Sequence, residues 1–240
     1  MDDNYDFSYV AGTLTITKVV LTVTAENKTR AYGAANPAFT VLYSGFVNSE
    51  NSGVIDTPPT ASSLAIATTP VGTIAITVGG GADNNYDFNY VAGVLTISKA
   101  TLTATADNQS RAYGAANPVF TISYTGFANG ETSAVINTPP TANTAATATS
   151  NVGTYTITPS GGLDDNYAFS FANGTLTITK AMLTVTADNK TRAYGAANPA
   201  FTILYSGFAN SETGAVLNTA PTASSTAIAT TPAGRRTCRR

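Results

Sequence analysis

Histidine and tryptophan are absent from this 240-residue chain, and cysteine occurs once, as Cys238. Without imidazoles or clustered thiols there is no zinc site and no Ser-His-Asp triad. A lone thiol cannot build a disulfide framework. Charge is also scarce: Lys, Arg, Asp and Glu together make 11% of the residues. No segment approaches the ~18 unbroken apolar residues of a membrane-spanning helix, so membrane insertion is not expected, nor is a nucleic-acid partner. What is abundant reads as strands and turns. Val, Ile, Thr, Tyr and Phe alternate with Gly, Pro, Asn and Asp, and a hydrophobic share of 43% is enough to bury a core.

The chain repeats itself. Tyr32-Gly33 returns as Tyr113-Gly114 and Tyr194-Gly195, and Asn36-Pro37 as Asn117-Pro118 and Asn198-Pro199, each step being 81 residues. Such a fixed period is the signature of a repeat architecture. Residues 1–18 read as the last hairpin of a preceding repeat, 19–99 and 100–180 as two complete repeats, and 181–234 as a repeat cut short. Residues 235–240 depart from the pattern, with Arg235-Arg236-Thr237-Cys238-Arg239-Arg240 where the other units continue into a strand. Four of the 12 cationic residues lie in that tail; removing them leaves 8 against 14 acidic ones. The repeats are acidic, and the tail reads as a frame or fragment end.

Within a unit, Leu21, Val23 and Ala25 share one face, as do Phe39, Val41 and Tyr43, and Ile74, Ile76 and Val78. Period two marks half-buried strands. Asn173-Gly174 predicts a two-residue type I′ hairpin, pairing Phe171 with Leu176 and Phe169 with Ile178, and by analogy Tyr90 with Leu95. The segment Asn210–Leu217 reads as one helical turn or a loop. The expected fold is all-β, a tandem array of small immunoglobulin-like β-sandwich domains. A β-grasp-like unit with one short helix is the alternative. Joints of one or two residues without a Gly/Ser linker favour a stiff array.

Three sets of residues are candidates for a site. Arg30, Tyr32, Arg111, Tyr113, Arg192 and Tyr194 recur in the Arg-Ala-Tyr-Gly motif. They read either as turn chemistry or as an exposed platform for a sugar or peptide. Asp83, Asn84, Asp164 and Asp165 lie in acidic-amide runs that are candidate calcium ligands, with Glu26, Asp107 and Asp188 approaching them across the joint. They lack EF-hand spacing, and Asp and Asn are also what a turn prefers; no cofactor is otherwise implied. The carboxylates of every unit recur in the others, whereas an active site is built once, so catalysis is not expected. The incomplete end repeats are expected to fray or to exchange strands between molecules.

Arg-Ala-Tyr-Gly-x-x-Asn-Pro-x-Phe-Thr (Arg30–Thr40), Tyr-Ser-Gly-Phe (Tyr43–Phe46), Val-Gly-Thr-Tyr-x-Ile (Val152–Ile157) and Gly-Thr-Leu-Thr-Ile-x-Lys-Ala (Gly174–Ala181) resemble the MBG domain of the YGX type. The resemblance covers residues 1–234. It implies a repeat region of a large bacterial secreted or surface protein of the filamentous haemagglutinin-like adhesin kind. Its partners would be neighbouring repeats and, beyond them, host or matrix glycans and proteins. It brings no catalytic or ligand residues. No signal peptide, anchor or translocation domain is read in the chain, which looks like a piece of such a protein, extracellular or at the cell surface.

Overall fold

The computed structural model describes residues 3–238. Seven strands fill the first complete repeat: β1 (Val19–Ala25), β2 (Lys28–Ala31), β3 (Val41–Ser44), β4 (Thr60–Ser62), β5 (Gly72–Gly79), β6 (Tyr86–Val91) and β7 (Gly93–Ser98). The second repeats them 81 residues on as β8 (Ala100–Ala106), β9 (Gln109–Ala112), β10 (Ile122–Thr125), β11 (Thr141–Asn143), β12 (Gly153–Ser160), β13 (Tyr167–Ala172) and β14 (Gly174–Thr179). The third holds β15 (Thr184–Ala187) and β16 (Ile203–Ser206). The chain divides into two compact units. One runs to Leu102 and adds Gly126–Asn137 and Leu163–Ala168; the other comprises Thr103–Thr125, Thr138–Gly162 and the chain from Phe169 onward.

In the first unit the complete repeat forms two sheets, ordered β3-β1-β6 and β2-β7-β5-β4. β1 lies antiparallel to β3 and parallel to β6, with Leu21 opposite Phe88. β7 lies antiparallel to β5 and parallel to β2, with Ile97 opposite Arg30. The predicted alternation on β1 is present: Leu21, Val23 and Ala25 are buried, as are Ile76, Leu95 and Ile97 of the second sheet. One cluster packs Leu21, Ile55 and Tyr86 with Tyr43, Phe46 and Phe88 around them. The fold is therefore the all-β, immunoglobulin-like sandwich. The helical segments among the described residues are three-residue 3-10 turns, at Ser52–Val54, Ser133–Val135 and Gly214–Val216, so the β-grasp helix does not form.

The second unit contains the corresponding four-stranded sheet, β11-β12-β14-β9. Ala106, Ala146, Ile157, Leu176 and Ile178 form its core, with Tyr113, Phe120, Ala142 and Tyr155 against it. β10 pairs with β8, and β15 with β16.

The predicted hairpin does not form. β6 and β7 follow one another in sequence but belong to different sheets, and β14 pairs with β12 and β9. Tyr90 thus lies opposite Val23 instead of Leu95, and Phe171 stays 44% exposed while Leu176 is buried. The glycine has another cause. Between β1 and β2 the chain also changes sheets, and the Asn27 amide oxygen accepts a hydrogen bond from Val94 N at 2.8 Å, as Asn108 does from Thr175 N at 2.7 Å. That bend presses backbone on backbone: a Cβ on Gly93 would lie 2.6 Å from the Ala25 carbonyl oxygen, and one on Gly174 2.3 Å from that of Ala106. Glycine is required by close approach, not by a turn.

Gly174→Ala is therefore expected to destabilise the protein by about 1–3 kcal/mol, the usual range for overpacking. Gly79→Ala, at an open position, should stay within about 0.5 kcal/mol. Urea unfolding of the two variants compares them directly.

Candidate functional site

The Arg-Ala-Tyr-Gly motif joins one repeat to the next. Arg30 ends β2's inward face and is buried. Its guanidinium donates from Nε to Asn36 Oδ1 at 2.9 Å, from one terminal nitrogen to Ala31 O at 3.1 Å and from the other to Ile66 O at 2.6 Å. Asn36 in turn donates to Ala65 O at 2.7 Å. Arg111 repeats the arrangement with Asn117, Ala112 O and Thr147 O, and Arg192 with Asn198, Ala193 O and Ile228 O. Each arginine staples the Asn-Pro loop to a distant loop of its own repeat. A buried guanidinium is tolerated because three carbonyl-type oxygens receive its protons.

Tyr32 points the other way, and its hydroxyl donates to Glu131 Oε1 of the following repeat at 2.6 Å. The second oxygen of Glu131 accepts from Tyr167, whose own hydroxyl accepts from Ala128 N at 2.9 Å. The two tyrosine rings meet edge to face, 5.6 Å apart at 84°. Asn129 is held at φ 54°, a left-handed turn that asparagine tolerates and that brings Glu131 round to both phenols. Gly33 packs beneath, where a Cβ would lie 2.2 Å from the Ala128 methyl. Asn166 Oδ1 accepts from Val71 N at 3.1 Å. In the second unit the same contacts recur: Tyr113 donates to Glu212 Oε1 at 2.6 Å, and a Cβ on Gly114 would lie 2.1 Å from that of Ala209.

The acidic-amide runs serve the turn before β6. Asp83 is buried; its Oδ1 accepts from Asn85 N at 2.7 Å and Tyr86 N at 3.0 Å, and its Oδ2 from Asp56 N at 3.2 Å. The Asn85 backbone N–H foremost holds its carboxyl below the ordinary range. Asp164 makes the same three bonds to Asn166, Tyr167 and Asn137. Asn84 donates to Asp56 Oδ2 at 2.9 Å, and Asp165 N donates to Asn137 Oδ1 at 3.0 Å. The ammonium groups of Lys18 and Lys99 bind the carbonyl oxygens of Asp83 and Asp164. Glu26, Asp107 and Asp188 accept from Thr40, Thr121 and Thr202 within their own repeats. Among the described residues no group of three or more His, Cys, Asp or Glu side chains comes together.

An open hollow of about 390 Å³ is lined by Asn143, Thr144, Ala145, Tyr155, Thr156 and Thr158. It contains neither carboxylate nor amine, and the Tyr155 hydroxyl is engaged with Asn151 O at 2.9 Å.

Fold and site thus define a tandem β-sandwich protein whose repeated motif fastens successive repeats. The MBG domain (YGX type) model matches residues 21–96, 102–177 and 183–236, and the chain belongs to that family. No curated protein matches the chain. Among solved structures it is similar to the I9–I11 tandem of titin, at 14% identity over 70% of this chain and 69% of that one, with a TM-score of 0.25.

Glu131, Glu212 and Tyr167 were absent from the candidate residues. Their signal was recurrence at the 81-residue period, which does not reveal that the partners stand 99 residues apart.

Tyr32→Phe is expected to cost about 1–2 kcal/mol, as for a half-buried bond to a carboxylate. With Glu131→Gln it should show coupling of about 0.5–3 kcal/mol in a double-mutant cycle.

Alkali should open the same joint. Burial, and then the Glu131 bond, push the Tyr167 phenol up to about 12, against ~10 in an unfolded chain. Tyr32 and Tyr113 are raised too, chiefly by their glutamate bonds. A raised pKa means stability that is whole below pH 10 and lost as pH climbs toward 12, since the unfolded phenol ionises first. Melting temperature is expected to fall across that window, and to fall less in Tyr32→Phe.

Proposed function

We propose that the chain is a non-catalytic repeat region of a bacterial extracellular adhesin-type protein, a spacer that projects or separates binding modules. The observation that carries the reading is the recurrence of one Tyr–Glu contact wherever a repeat follows another, at Tyr32–Glu131 and Tyr113–Glu212. Bonds that fix each repeat to the next resist bending, which a spacer needs and an independent binding domain does not. The bacterial surface setting is drawn from the family resemblance. The competing reading, a multivalent glycan or matrix-protein surface, has less support. Its Arg30, Arg111, Tyr32 and Tyr113 already spend their polar groups inside the protein.

Small-angle scattering of dilute protein should give a skewed distance distribution with a long tail, shortened in a Tyr32→Ala, Tyr113→Ala double variant. A symmetric distribution would refute the spacer. Glycan-array binding lost on Tyr194→Ala would favour the competitor.

A further inference from the structure

The turn that delivers Glu131 to the joint contains an asparagine followed by a glycine. Asn129 and Gly130 both lie in the left-handed region, at φ 54° and 73°, and both are exposed. A Cβ on Gly130 would meet nothing within 4 Å. The equivalent turns, 81 residues to either side, keep the same backbone: Asn48 and Ser49 at φ 55° and 60°, Asn210 and Ser211 at φ 53° and 61°. Those two carry serine after the asparagine. Of the three turns, glycine follows asparagine at 129–130 alone.

The Asn129 side chain faces the joint. Its amide nitrogen stands 3.8 Å from where a Cβ on Gly33 would lie. Around the Tyr32 phenol, Glu131 and burial push the pKa up, and the Asn129 amide pulls it down. Asn210 stands the same way to Tyr113, 3.9 Å from a Cβ on Gly114. A second Asn-Gly pair, Asn173-Gly174, is differently placed. Gly174 is buried at the start of β14, opposite Ile157 of β12, and its backbone is pressed against the Ala106 carbonyl.

We propose that Asn129 is a site of self-modification in the folded protein: it deamidates through attack by the Gly130 backbone nitrogen and thereby loosens the Tyr32–Glu131 joint with age. Asparagine is a chemically labile residue. The new bond joins Gly130 N to Asn129 Cγ, and the Cγ–Nδ2 bond breaks. The departing nitrogen takes the Gly130 amide proton and leaves as ammonia. The cyclic imide then adds one water. Opening at one carbonyl gives aspartate at that position; opening at the other gives isoaspartate, whose main chain runs through Cγ. Neither an oxidant nor an enzyme is needed. Glycine has no Cβ to shield the attacking nitrogen or restrict its approach, and a left-handed asparagine leaves a costly conformation when the ring closes. At Asn173 the same step would have to pull Gly174 out of its ladder. Either product replaces an amide donor by a carboxylate, which only accepts, two residues from the charge of Glu131. Isoaspartate also lengthens the backbone that aims Glu131 at both phenols. The Tyr113–Glu212 joint, whose turn reads Asn210-Ser211, keeps its amide. None of this depends on the spacer reading.

The test incubates the full chain, below its melting temperature, in mildly alkaline buffer made with heavy-oxygen water. Proteolytic mapping should find heavy oxygen first at position 129, as aspartate and isoaspartate, while Asn173 and Asn210 remain amides. The rate should rise with pH, because the attacking nitrogen must lose its proton. Gly130→Ser installs the residue that both equivalent turns carry at a similar φ; it should leave the circular dichroism unchanged and slow the conversion severalfold. The converted fraction, separated by ion exchange on its added negative charge, should melt below the fresh protein. That difference should shrink in a Tyr32→Phe background, where the hydroxyl at the joint is gone. An Asn129 amide that survives while the chain unfolded in denaturant converts would overturn the proposal. So would equal conversion of Asn173, a Gly130→Ser variant that converts as fast, or unchanged melting of the converted fraction.

Discussion

One carboxylate accepting two phenols holds successive repeats together. Glu131 receives Tyr167 from its own repeat and Tyr32 from the one before. Almost everything distinctive in the surrounding sequence serves that meeting. Gly33 is small so that Ala128 can seat against it, and Asn129 adopts a left-handed turn so that the glutamate faces inward. The arginine two residues before the tyrosine fixes the loop from which it projects. A bond between a neutral donor and an ionised acceptor is stronger than one between neutral groups, and partial burial keeps water from replacing it.

Inside each repeat the controlling constraint is close approach of backbones where the chain changes sheets. β1 and β2 are nearly continuous in sequence but lie in opposite layers, as do β6 and β7. Both crossings occur at one place, with Gly93 against the Ala25 carbonyl and Asn27 bonding Val94 N. The parallel β1–β6 and β2–β7 pairs follow from these two crossings. So does the burial of Leu95 and Ile97, which lie in the second sheet beside β5 and not opposite Tyr90 and Phe88.

The period, the strand alternation and the all-β class were legible because each depends on local pattern: Leu21, Val23 and Ala25 alternate whatever their partners. Asn173-Gly174 misled because its glycine answers to Ala106, 68 positions away, while the local signal resembles turn chemistry. The Arg-Ala-Tyr-Gly motif was legible as important but not as a joint, since neither Tyr32 nor Glu131 carries any mark of the other. Asp83 and Asp164 read as candidate ligands or as turn residues, and the structure shows them anchoring turns. A carboxylate that accepts two or three backbone N–H groups needs the same oxygen-rich composition as a cation site.

Leu183 and Leu21 sit in nearly identical sequence but in different environments. Composition alone therefore does not make the core of a repeat. Leu21 is covered because Tyr86 and the strand it begins are present; Leu183 has no such cover. Stability in an array of this kind divides into what each repeat contributes alone and what its neighbours add. Here the neighbour's share enters through a named contact, Tyr to Glu, and the repeat's own share depends on its last two strands being in place.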